Sequence, residues 1–335
     1  MPIVAADQNP LVSIVVPVYN AAATLRRTVA TLSAQTWPNL EVVIIDDGST
    51  DGSSELLVEL AAADPRCRVI RQANGGVWAA RLAGIDAASG QWLAWCDADD
   101  LPHPSWIEDL VECAVTTGAQ MAVCPYRRVD VSGNTLSVEG NTTLPSPLDP
   151  LADPVGLATV NTALWNKVFR MDVVRAAIGV TRDGLVAPRI GEDLVLYTSF
   201  LTKIDRIAFT REPRYDYVVR SGSLMTTFSQ PDAQTLATQL RALRASASAA
   251  QQPLIDVLAF MHLAVAPLHI LAAGPRAESS RYARWARQTL RRDFNQYTVR
   301  ARTLRGPTGR LVAARALFRL RALAPILRLT TRHHR

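Results

Sequence analysis

Cysteine is scarce in this chain, and what there is does not cluster. The four residues, Cys67, Cys96, Cys113 and Cys124, form no C-x-x-C pair. That excludes a zinc ribbon and a disulfide framework and fits a reducing cytoplasm, with the thiols as core fillers. The first residues lack a basic stretch followed by an apolar run, so no secretory leader is expected. No segment repeats. The connection after the first apolar run, "PVYNAAATL", holds no glycine. A loop that cradles a triphosphate needs glycine and a basic residue there, which counts against a nucleotidyltransferase that makes sugar nucleotides. Lysine is absent from residue 276 onward. That stretch has sixteen Arg against two acids, Glu278 and Asp293, giving +14 where the whole chain carries +6. The remainder is therefore −8, and the basic character belongs to the tail. Such asymmetry directs the tail at an anionic partner, a membrane surface or a polyanion.

What is present is a globular composition, 48% hydrophobic and 20% charged over 335 residues. Short apolar runs alternate with helical patterns. Strands are expected at 11–19, 40–46, 68–72 and 91–96, and helices at 21–35, 51–64 and 76–88. Ser53 or Asp51 is available to cap the second helix. Strands alternating with helices of this length imply an α/β fold with a mostly parallel sheet covered on both faces. Ligands bind such sheets at the carboxyl ends of strands. Three polar clusters fall at those ends: "PVYN", "DDGSTD" and "DADD". Farther on, four prolines predict a loop over 138–156, helix and strand patterns resume over 161–177, a helix is expected at 192–203 and a strand at 213–219. Everything after about 231 reads helical. The apolar run 254–273 contains Asp256, His262, Pro267 and His269, so it reads as buried helix rather than as a membrane span.

Together the strand-end clusters place Tyr19, Asp46, Asp47, Asp97, Asp99 and Asp100 at one site, with no Lys among them. Packed carboxylates repel and resist desolvation. A divalent hard cation, Mg2+ or Mn2+, is the simplest counter-charge, and it would hold a diphosphate. The bland alternative is a set of solvated helix-start acids, with Asp46 structural and Asp51 and Asp100 capping.

"VSIVVPVYNAAATLRRTVATLSAQTWPNLEVVIIDDGSTDGS", "NGGVWAARLAGIDAASGQWLAWCDADD", "LWNKVF", "GEDLVLY" and "YVVRSGSLMT" stand in order along residues 11–227. The run resembles a family 2 glycosyltransferase of the GT-A fold, of the type acting in bacterial polysaccharide or cell-envelope glycan synthesis. The resemblance implies an inverting, metal-dependent transfer from a nucleotide-sugar, most often a UDP-sugar, to a glycan, polyol-phosphate polymer or lipid-linked acceptor. It assigns Pro17, Tyr19, Asn20 and Asp47 to the nucleotide. Arg81 would face the diphosphate or sugar, and Lys167 the sugar subsite. Asp97 and Asp99 would hold the metal, with Asp97 near the ribose. Glu192 and Asp193 form the acidic pair whose second member is the general base. Arg220 and Ser223 belong to a segment that closes over the diphosphate. Two departures bear on the donor: Leu82 stands where relatives often have Asn, and Trp78 where they often have Ser. No His follows Arg220 to serve as an extra metal ligand.

The expected organisation is a catalytic domain over 1–230, with a nucleotide-binding half (11–130) and an acceptor half (131–230), then a helical C-terminal region (231–335). Residues 310–332, projected on one helix, give an apolar arc flanked by Arg, and they fall within the 306–335 end. That end is expected to make a peripheral contact with an anionic membrane, or to pack on the acidic remainder. A cytoplasmic protein, peripheral on the inner membrane face, is the resulting expectation. A non-catalytic polyanion or nucleic-acid binder is the other class weighed, and no nucleic-acid partner is expected.

Overall fold

The computed structural model of the chain describes residues 9–140, 144, 146–157, 160–182, 187–220, 229–265 and 276–294. Ser223 and the Arg-rich end at 306–335 lie outside the described residues.

The first half alternates as its pattern dictates: β1 (Val12–Val18), α1 (Ala22–Ser33), β2 (Leu40–Asp46), α2 (Ser53–Ala63), β3 (Cys67–Arg71), α3 (Gly76–Ala87) and β4 (Trp92–Trp95). Continuous β-branched runs make strands that are buried on both faces. Val12, Ile14, Val16 and Val18 of β1 face a core with Leu25, Val29 and Leu32 of α1, and each is at most 3% exposed. Such a fully buried aliphatic side chain is worth roughly 1.5–3 kcal/mol. Val15 points to the other face, where Gly84 of α3 lies so close that an added Cβ would sit 2.2 Å from Val15 Cγ1. So α1 covers one face of the sheet and α3 the opposite one.

Next come β5 (Leu101–Pro102), α4 (Trp106–Thr117), β6 (Met121–Val123), β7 (Tyr126–Val129) and β8 (Thr135–Glu139). The β7–β8 hairpin enters the segment expected as loop. Its turn is held by Asp130, whose carboxylate takes the N–H groups of Ser132 and Asn134, both at 2.9 Å. After α5 (Pro154–Leu157) the 161–177 stretch resolves into β9 (Lys167–Arg170) and α6 (Met171–Arg182). Then follow α7 (Glu192–Leu201), β10 (Ile207–Phe209) and β11 (Tyr215–Val218).

A seven-stranded sheet has the order β10-β6-β9-β4-β1-β2-β3. It is parallel except for β9, which runs antiparallel to both β4 and β6. A four-stranded sheet has the order β5-β11-β7-β8. Both sheets lie in one compact unit, residues 1–149, 162–178 and 203–221.

The second unit comprises residues 150–161, 179–202 and 222–335. Its described part is helical: α5, α7, α8 (Gln230–Ser246), α9 (Gln252–Phe260), a π-helical turn at Met261–Val265, and α10 (Arg276–Asp293). Ser229 and Asp232 form a capping box on α8, and Asp232 also pairs with Arg189 at 2.7 Å. Asp256 is buried at 1% exposure and takes Arg244 Nε at 2.6 Å. Among the described residues no helix is long and apolar enough to cross a membrane.

Candidate active site

Parallel register brings the three polar clusters together. Val18 pairs with Asp46 across β1 and β2, and Val15 pairs with Trp95 across β1 and β4. The carboxyl ends of three adjacent strands thus present Tyr19, Asn20, Asp46, Asp47 and the Asp97–Asp100 turn along one edge. Tyr19 is 52% exposed, a large ring left open to a ligand. Asn20 adopts a left-handed φ of 51°, and its Oδ1 accepts the Thr50 N–H at 2.8 Å, tying the β1 and β2 loops together.

The acids divide by environment. Asp46 is structural, as the bland reading has it: burial pushes its carboxyl up, but donors from Ser54 and Ser49 and the Arg71 guanidinium outweigh that and hold it below the usual range. Asp51 accepts the Ser53 N–H at 3.0 Å and the Ala22 N–H at 3.0 Å, while Gly52 occupies the N-cap position itself. Asp47 accepts from Gln72 Nε2 at 2.7 Å and from the N–H groups of Gly75 and Gly76 at 2.9 and 2.8 Å. Those three bonds leave about one of a carboxylate's four acceptor positions. The β3–α3 turn that Asp47 organises was not singled out in the sequence, although "QANGG" marks a turn there.

Asp100 corrects an expectation. It does not cap α4, whose N-cap is Ser105. It is buried, and its carboxylate accepts the Tyr215 hydroxyl at 3.0 Å and the Val218 N–H at 2.9 Å. Burial first, then Asp97 and Asp99, push this carboxyl well above the usual carboxylate range. The same Tyr215 hydroxyl accepts the Asp97 N–H at 3.2 Å, and Trp165 stacks on the Tyr215 ring with centroids 4.7 Å apart. Tyr215 therefore pins β11 to the acidic turn, a role that nothing local in the sequence signals.

The absence of Lys among the acids also misleads. Arg81 Nη2 approaches Asp97 Oδ1 at 3.3 Å, with Arg81 itself 3% exposed. Arg220 Nη2 donates to the Asp99 carbonyl at 3.1 Å, and its Nη1 lies 3.7 Å from Asp99 Oδ2. A guanidinium beside each of these two acids offsets part of their charge. Accessibility still permits a cation. Asp99 is 45% exposed and Asp97 29%, two hard oxygen donors of the kind Mg2+ or Mn2+ takes alongside water and phosphate. Among the described residues no group of three or more His, Cys, Asp or Glu gathers as a metal cage.

Lys167 is not brought to this edge. It is fully buried on β9, and its Nζ donates to the Ala163 carbonyl and to Asn166 Oδ1, both at 2.6 Å. Pro17 is partly buried at the end of β1. In the second unit, Glu192 and Asp193 form the first turn of α7, after Gly191 at φ 90°. A Cβ on Gly191 would meet Leu236 of α8 at 3.3 Å. Acids in a first turn suit the helix macrodipole. Cys67 and Cys124 are buried, and burial pushes their thiols up to about 11 and about 12, so they are inert.

Beside Asp99 a cleft of about 270 Å3 opens on the α1 face, lined among others by Thr24, Arg27, Leu101, Val218 and Arg220.

Comparison with known proteins places this geometry. Residues 13–171 match the family described as Glycosyl transferase family 2, and over them the chain is a member of that family. It is 31% identical over 225 residues to an uncharacterized glycosyltransferase, YibD, of Escherichia coli (strain K12), covering 63% of this chain and 62% of that one. It is 33% identical over 228 residues to the succinoglycan biosynthesis protein ExoO of Rhizobium meliloti (strain 1021), covering 66% and 64%. The matched region thus spans less than two thirds of these relatives. Among solved structures, S. aureus TarS 1-349 in complex with UDP-GlcNAc superposes with a TM-score of 0.70 at 15% identity, covering 97% of this chain and 92% of that one. The mannosyltransferase PcManGT of Pyrobaculum calidifontis, in complex with GDP-Man and Mn2+, gives 0.55 at 16%, covering 96% and 86%. The fold is GT-A, as its resemblance implies.

Proposed function

We propose that this chain transfers a sugar from a nucleotide-sugar to a hydroxyl of a polysaccharide, polyol-phosphate polymer or lipid-linked glycan, with inversion at the anomeric carbon. The observation that carries the reading is the meeting of an exposed Tyr19 with the accessible Asp97 and Asp99 at the carboxyl ends of β1 and β4. Tyr19 offers a face for the nucleobase, and Asn20 fixes the loop that carries it. Asp47, through its Gly75 and Gly76 bonds, holds the start of α3, the helix that bears Arg81. UDP-GlcNAc in TarS and GDP-Man with Mn2+ in PcManGT support a nucleotide-sugar donor. Their bases differ, so UDP here is a proposal.

Asp99, with Asp97, is the pair that would hold Mg2+ or Mn2+, which when bound supplies Lewis-acid neutralisation of a departing diphosphate. Arg220, whose Nη1 lies 3.7 Å from Asp99 Oδ2, is proposed to add charge to the same leaving group. Asp193 is proposed to take the proton of the acceptor hydroxyl, since an inverting transfer needs a base on the acceptor side; Glu192 is the next candidate. Ser223 is proposed as a diphosphate contact from the resemblance alone. Lys167 is proposed to support the sugar subsite from beneath, through Asn166 and the 163–166 turn.

A donor screen with UDP-, GDP- and dTDP-sugars, reading nucleotide release with Mn2+ and Mg2+, tests the reaction. Release from one donor class is expected, and release from none contradicts it. Asp193→Asn keeps the shape and loses the base, so kcat is expected to fall by about 10²–10⁴ with donor affinity little changed. Near-normal turnover would move the base elsewhere.

A further inference from the structure

The cleft on the α1 face shares Asp99 and Arg220 with the diphosphate contacts proposed above, but its α1 residues take no part in them. The nucleobase contacts come from the β1 and β2 ends, and Arg81 from α3 on the opposite face. The two acids of the edge divide between the flanks: Asp97 meets Arg81 of α3, while Asp99 meets Arg220 and lines the cleft. At about 270 Å3 the cleft is near the lower end of ligand pockets, roughly 300–1,000 Å3. That suits a phosphate and part of its bearer, not a whole nucleotide-sugar.

Its polar inventory is selective. The hydroxyls of Thr24 and Thr28 are spent on the Ala98 carbonyl at 2.8 and 3.1 Å. The donors that face a ligand are then two guanidiniums, Arg220 and Arg27. Arg27 makes one long contact, 3.4 Å to the Val131 carbonyl, and among the described residues no carboxylate pairs with it. Its helix neighbour Arg26, by contrast, makes a two-point pair with Glu59 at 2.9 and 3.0 Å. Two guanidiniums against the one Asp99 carboxylate leave the cleft positive. A guanidinium fork with no acid partner matches a phosphate in bidentate fashion, and Leu101 and Val218 give an apolar wall for what the phosphate is attached to.

We infer that this cleft is a phosphate-binding subsite in which Arg27 is the principal ligand contact. The inference deepens the proposed reaction and rests on it for the identity of the phosphate. That phosphate belongs either to the diphosphate of the nucleotide or to a phosphate carried by the acceptor.

Full-length wild type, Arg27→Ala, Arg27→Lys and Arg26→Ala are titrated calorimetrically with UDP, GDP, dTDP and inorganic pyrophosphate. Pyrophosphate affinity is expected to fall by about tenfold or more in Arg27→Ala, less in Arg27→Lys, and not in Arg26→Ala. If UDP affinity falls in parallel, the nucleotide supplies the phosphate. If UDP affinity holds, the acceptor supplies it. The inference is overturned if wild type does not bind pyrophosphate, if its binding ignores Arg27, or if Arg26→Ala weakens it equally. UDP binding intact in all four proteins, with pyrophosphate indifferent to Arg27, removes the subsite and leaves the donor reading. Arg27-dependent pyrophosphate binding with no binding of UDP, GDP or dTDP removes the donor reading and leaves the subsite.

Discussion

Asp100 ties the turn after β4 to β11 with its side chain, which accepts the Tyr215 hydroxyl and the Val218 N–H. Asp100→Ala would strand both donors in a buried site, so a loss of about 1–3 kcal/mol is expected in urea unfolding. A loss under about 0.5 kcal/mol would mean that the acid is not the latch described here. At this scale the sequence showed Asp97 and Asp99 well, because acids that follow an apolar strand stand at its carboxyl end whatever the rest of the chain does. Their partners were hidden. Arg81 precedes Asp97 by sixteen positions, and Arg220 follows Asp99 by 121, so only the tertiary fold reveals that each acid already has a guanidinium. Arg27 was hidden differently: an arginine on the polar face of an amphipathic helix looks like any solvated charge. Lys167 was hidden in another way: nothing in "WNKVF" reports that its side chain is fully buried on β9, with Nζ held by the Ala163 carbonyl and Asn166 Oδ1.

Elements were legible where period and length agree. The four expected strands and three expected helices of the first half form with boundaries that move by a residue or two, because buried parallel strands need continuous apolar runs and their helices need a 3.6-residue stripe. Direction was not legible. Nothing in "KVFR" reports that β9 runs antiparallel between β4 and β6. Close helix-on-strand approach has a marker in Gly84, where a Cβ would fall 2.2 Å from Val15 Cγ1. Gly84→Ala is therefore expected to destabilise by about 1–3 kcal/mol through overpacking, and a variant as stable as wild type in thermal unfolding would contradict that approach. The α2–β3 junction predicts a pH response. The hydrogen bond from Arg66 leads the causes that lower the Asp64 carboxyl from 3.8 to about 2, and Arg66 Nη2 also donates to the Ser33 carbonyl at the end of α1 at 2.7 Å. A depressed folded-state value means stability present above about pH 4 and lost as pH falls toward about 2. Asp64→Asn should cost on the order of 1–2 kcal/mol at pH 7. The gap from wild type should close in unfolding curves near pH 2–3, and a gap that persists unchanged would assign the effect to packing.

For the whole molecule, the charge asymmetry between residues 276–335 at +14 and the remainder at −8 was plain from composition. The sequence also gave notice of the fold class, since ordered βα alternation with acids at strand ends admits few architectures. The prediction at this scale concerns the Arg-rich end: full-length protein is expected to float with anionic vesicles at low salt and to be released as salt rises, because surface charge is screened within a Debye length. Equal flotation with neutral vesicles would contradict an electrostatic contact. The central claim is that Asp99 stands at a nucleotide-sugar site. Calorimetric titration of wild type and Asp99→Asn with UDP, each with and without Mn2+, tests it most directly. The account predicts that Mn2+ strengthens UDP binding to wild type by about tenfold or more and that this gain disappears in Asp99→Asn. Equal affinity in the two proteins with Mn2+ present would contradict it.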